Sequence, residues 1–216
     1  FGINEAGIIV GTSLDPGGTF RACKWEGGGI SPLAAPMPNS FSVAMSINSA
    51  GHYVGFHDHG SPVTSSAFLF DGVSVRDLGG LPGYSHSIAY KVSDSGTIIG
   101  WSYNGNPELY FLSALDCSAT VWRGGNAIDV NTLIHSAPAA GYHIRQLWDI
   151  NNHGQIAAYA CLNGTGANCT GGNWRAVILS PCYANCDESL LPPILNINDF
   201  SCFLNRFASG SPYANC

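Results

Sequence analysis

The chain has 216 residues, enough for one domain of about 150–200 residues and a small appendage. It is 45% apolar but only 10% charged, against roughly 25% charged in ordinary soluble domains. It therefore buries a core and is no disordered polyelectrolyte. A net charge of −6 with eight Lys and Arg leaves no basic footprint for nucleic acid, and no apolar run reaches the roughly 18 residues of a membrane-spanning helix.

The first readable pattern is "GINEAGIIVGTS" from Gly2, two short apolar runs around a turn at Gly7. It returns as "SINSAGHYVGFH" from Ser46, "KVSDSGTIIGWS" from Lys91 and "DINNHGQIAAYA" from Asp149, with turn glycines at Gly51, Gly96 and Gly154. Asn, Ser or Asp followed by Gly is the chemistry of a tight hairpin. A third run follows each hairpin and pairs Ala with a large residue three positions on: Ala22/Trp25, Ala67/Phe70, Ala119/Trp122 and Ala176/Leu179. A fourth run, "VSVRDLGG" or "NAIDVNTL", closes the middle units. Repeats of about 45 residues carrying up to four short strands predict an all-β chain of four β-propeller-like blades over residues 1–180. The other architecture for so many hairpins, a β-sandwich, does not normally repeat its sequence.

The pattern "INxxGxIVG … AxxW/FxxG … DLGGLPG … SxAxxIN", best seen from Ser42 to Gly83, resembles the HAF repeats of secreted bacterial proteins. The resemblance implies an extracellular repeat architecture without catalytic chemistry. The first unit lacks most of its opening strand, the last lacks a fourth run, and Ala158 stands where the other units have Gly11, Gly55 and Gly100.

Few residues along these units carry chemistry. "GFHDHG" places His57 and His59 on one face of a strand, where two imidazoles could hold zinc or copper. With no third ligand nearby in sequence, a solvated loop-edge pair is the favoured reading. Ser85 and His86 are adjacent and face opposite ways, so they form no triad. Asp77, Asp94, Asp116, Asp129 and Asp149 fall at strand ends and turns, and turn duty is their expected role. Trp101, Tyr103 and Tyr110 flank the long third-unit loop and are the expected surface-binding aromatics. Asn163 and Asn168 begin glycosylation-type sequons.

Eight cysteines and no CxxC zinc pair read as disulfides in an oxidising compartment. Cys161 and Cys169 bracket one loop, and Cys182, Cys186, Cys202 and Cys216 crowd the tail. That tail, residues 181–216, spaces oxygen donors as a calcium loop does: Asn185, Asp187, Ser189, the Ile194 carbonyl, Asn196 and Asp199, followed by a helically spaced "DFSCFLNRFAS". "YANC" then recurs at Tyr213–Cys216. Loop, helix and restarted loop resemble a planctomycete-type dockerin repeat, which implies calcium and a cohesin-like partner and leads us to expect a longer natural chain. A disulfide-tied cap with Asn and Asp as turn formers is the alternative. The expected function is that of a secreted, non-catalytic structural or adhesive subunit that self-associates into a filament, matrix or surface assembly. A carbohydrate- or protein-binding propeller is the first alternative, and a glycan-active enzyme the second.

Overall fold

The computed structural model describes residues 1–37, 40–60, 64–105, 116–134, 141–162 and 173–180. Contacts group Phe1–Leu179 into one compact unit. Among the described residues it is all-β, with a single 3-10 turn at Val130–Thr132.

Among the described residues three sheets form, and none closes on itself. The first is the antiparallel meander β1 (Gly2–Ile3), β2 (Ile9–Leu14), β3 (Phe20–Glu26) and β4 (Gly29–Pro32). The second joins two such meanders, β5 (Ser42–Ile47), β6 (Tyr53–Asp58), β7 (Ser65–Phe70), β8 (Val75–Gly79) and β9 (His86–Val92), β10 (Ile98–Asn104), β11 (Asp116–Arg123), β12 (Asn126–Asp129). Among the described residues they are linked by one parallel pair, Ser65 with His86. The third sheet is β13 (Tyr142–Ile150), β14 (Ile156–Leu162) and β15 (Trp174–Leu179).

The hairpin turns explain why the sequence repeats. Gly7, Gly51, Gly96 and Gly154 all have φ between 74° and 82°, a region that excludes most side chains. In each turn the glycine N–H donates to the carbonyl three residues earlier, on Asn4, Asn48, Ser93 or Asn151. The side-chain oxygen of that same residue accepts from the N–H four residues later, at 2.9–3.0 Å. The turns are also stitched to one another. Asn4 Nδ2 donates to Asn48 O at 3.2 Å, and Asn48 Nδ2 to Ser93 O at 3.1 Å.

Packing between meanders uses the opening strands. Every residue of β5 is buried, and Ser42 and Ser87 on β5 and β9 accept from the buried N–H groups of Ala22 and Ala67 at 3.1 and 2.8 Å. These serines satisfy backbone that would otherwise be orphaned inside the core. One core cluster joins Val43, Met45, Phe56, Ile88, Trp101, Tyr103 and Cys117. Trp101 and Tyr103 are 0% exposed, which corrects their expected surface role: β10 lies between β9 and β11, with both faces covered. Tyr110 lies outside the described residues. Cys23 and Cys117, which are not among the six disulfide candidates, are free and buried; they fill small core positions as hydrophobes.

Candidate functional site

Strand alternation assembles the most chemically distinctive cluster. His57 ends the core-facing run of β6, and pairing continues past it, since His59 N–H donates to Thr64 O at 2.9 Å. Residues 57 and 59 therefore share a face. Ser66 on β7 stands opposite His57, and Phe68, two residues on, shares the face of Ser66 and stands opposite Asp77 on β8. The β7–β8 register slips between Ala67 and Phe68. Leu78, the residue passed over by that slip, points into a core cluster while Asp77 faces the histidines.

His57 Nε2 lies 3.2 Å and His59 Nε2 3.6 Å from Asp77 Oδ2. All three ligand atoms lie within 4.8 Å of one another. The His57 side chain is fully buried, whereas those of His59 and Asp77 are 36% and 38% exposed. The two rings are 4.7 Å apart and inclined at 61°. Each member has a further contact. Asp77 Oδ1 accepts from the Gly79 N–H at 2.8 Å, His57 Nδ1 lies 3.3 Å from the Asp58 carbonyl, and His59 Nε2 lies 2.7 Å from Ser66 Oγ. Burial opposes ionisation of Asp77, yet hydrogen bonds from His57 and the Gly79 N–H outweigh it and hold the pKa below the ordinary carboxylate value. Asp58, next door, is pushed the other way by burial, against the pull of both histidines.

The reading of a solvated histidine pair is thus corrected for His57, and Asp77 does more than shape its turn. The third ligand is 18 residues from His59 in sequence, and it becomes visible only when "VSVRDLGG" is folded back as the strand beside β7.

A second feature is a run of aromatic rings. Tyr90 and Trp101 are 5.3 Å apart, Trp101 and Trp148 5.2 Å, Trp148 and Tyr159 5.7 Å, and Tyr159 and Trp174 6.2 Å. The run leads from the buried core to a shallow apolar depression on the third sheet, lined by Trp148, Ala157, Tyr159, Ala176 and Ile178 among others. Compared with family profiles, curated proteins and solved structures, the chain gives no match.

Cys161 is disulfide-bonded, and its partner lies outside the described residues. So do Cys169, Cys182, Cys186, Cys202 and Cys216, the sequons at Asn163 and Asn168, and the calcium-loop residues Asn185, Asp187, Ser189, Ile194, Asn196 and Asp199.

Proposed function

We propose that this chain is a secreted, non-catalytic structural subunit whose four meanders are blades of an open propeller and which assembles with further copies of itself. The observation that carries the reading is where large apolar side chains are exposed. Within strands they are Ile3, Ile9, Leu14, Phe20 and Ile30 on the first sheet and Tyr159 and Ile178 on the third. The eight-stranded middle sheet has none among its described strand residues. Inner units cover one another. On the first sheet the register puts Ile3, Ile9 and Ile30 on one face, with Leu14 and Phe20 on the other; on the third sheet Tyr159 and Ile178 share a face. Each outer unit thus keeps a face with exposed apolar side chains.

Each such side chain contributes roughly 1.5–3 kcal/mol on going from exposed to fully buried. Covering four or five of them is on the scale of the association cost, about 4–15 kcal/mol. The low charge of the chain adds little like-charge repulsion when copies approach. The two faces differ, so their contact is heterologous and runs head to tail, which extends into a filament unless the rotation closes. The disulfide at Cys161 supports an oxidising, extracellular setting. In this reading the dockerin-like tail serves as an anchor to a cohesin-like partner, with calcium as its ion.

The test uses Ile3→Lys and Ile178→Lys, each at a site more than 60% exposed. Each variant alone should lose assembly, and an equimolar mixture should give dimers and nothing longer, because one good face remains on each partner. Oligomers of unchanged size from either variant would sink the proposal.

A further inference from the structure

We propose that His57 Nε2, His59 Nε2 and Asp77 Oδ2 bind one zinc-class divalent ion, with a fourth coordination position open toward solvent. The inference is independent of self-assembly. Two imidazoles and one carboxylate are a borderline donor set that suits zinc and its neighbours. Calcium takes six to eight oxygen ligands, and this cluster offers no such shell.

The spacing fits the ion. With metal–ligand bonds of about 2.0–2.1 Å, the edge of a tetrahedron is about 3.3–3.4 Å. The two edges from Asp77 Oδ2 are 3.2 and 3.6 Å. The remaining edge, between the two imidazole nitrogens, is within 4.8 Å, and rotation of the partly exposed His59 ring shortens it. His57, held in the core, is the fixed arm.

The contacts behind His57 and Asp77 suit a metal centre. His57 meets an acceptor at each ring nitrogen, the Asp58 carbonyl 3.3 Å from Nδ1 and the Asp77 carboxylate 3.2 Å from Nε2. In the free protein Nε2–H donates to Asp77; with an ion bound the ring carries its proton on Nδ1, where the Asp58 carbonyl accepts it, and Nε2 is left for the metal. The Gly79 N–H ties down Asp77 Oδ1 and leaves Oδ2 for the ion. Ser66 Oγ lies 2.7 Å from His59 Nε2, the ligand atom itself, and is displaced when the ion enters. The Asp58 carbonyl and the Gly79 N–H are the outer partners that orient a metal-binding histidine and carboxylate. The ion would clamp β6 to β8 across β7.

The whole chain, stripped with a chelator, is titrated with zinc and with cobalt(II) by calorimetry and visible absorption. One ion per chain is expected, and cobalt should show the intense visible bands of a four-coordinate site. His59→Gln and Asp77→Asn alter partly exposed side chains, and their metal-free melting curves serve as folding controls. Each should weaken zinc at least about 100-fold, beyond the 10–100-fold that loss of an outer partner costs. Excess calcium should leave zinc bound. An absence of binding, or binding of equal strength in the parent and both variants, overturns the proposal.

Discussion

Gly55→Ala adds one methyl group to β6 and should be among the most damaging small changes in the molecule. Gly55 stands opposite Ala44, where the β5–β6 register slips. A Cβ there would lie 1.9 Å from the Val43 carbonyl oxygen and 2.9 Å from its carbon. Ordinary contact begins at 3.4 Å, so backbone must move by 3.4 − 1.9 = 1.5 Å. All of β5 is buried, and it has nowhere to go. Overpacking costs about 1–3 kcal/mol and occasionally more. A backbone obstacle belongs at the upper end, about 3 kcal/mol, or roughly 6–12 °C of melting temperature for a chain of this size. Gly100 repeats the arrangement, 1.9 Å from the Ile88 carbonyl oxygen. The fourth unit carries Ala158 in this place, and there β13 slips twice, on either side of its contact with Leu147. The assay is thermal unfolding followed by circular dichroism, with Gly29→Ala as comparator. A Cβ at Gly29 meets nothing nearer than 3.7 Å, and that variant should stay within about 0.5 kcal/mol of the parent. If Gly55→Ala and Gly29→Ala melt together, the bulge argument is wrong.

Other outcomes follow from the same contacts. Asn48→Ala removes both a turn bond to His52 N–H and the link to Ser93 O at a buried site, and should cost about 1–3 kcal/mol. Asn151→Ala, at an exposed turn bonded within itself, should cost less in the same denaturant titration, and equal losses would refute a role for the inter-turn link. Burial lowers the pKa of His86 below its ordinary value of 6.5, and burial followed by the charge of Arg145 does the same to His143. The unfolded chain therefore binds more protons than the folded one as pH falls below about 6.5. Stability should decline from that point downward and level off below the folded-state pKa values. His86→Asn should reduce that slope in urea melts at pH 7.5 and 5.5, and an unaltered slope would show that His86 is not its source.

Short-range chemistry was the legible part of this molecule. Asn or Ser followed three residues later by Gly encodes its own turn, so all four hairpins could be found from Gly7, Gly51, Gly96 and Gly154. The serines of the "SxA" motif are visible in the sequence, but their bonds to the preceding unit depend on how units stack. Trp101 and Tyr103 looked like loop-edge aromatics because they precede a long loop. Alternation alone does not say that a strand is covered on both faces. The histidine cluster was half legible. His57 and His59 share a strand face by simple period, whereas Asp77 arrives through two antiparallel pairings and a one-residue slip that no local pattern encodes.

The most direct test of the structural-subunit reading is the mass of the purified chain by light scattering over a range of concentrations. Head-to-tail contact of the outer faces predicts a mass that grows with concentration well beyond 22.7 kDa, falling back when Ile3→Lys or Ile178→Lys is introduced. A single species of 22.7 kDa at every concentration would contradict it.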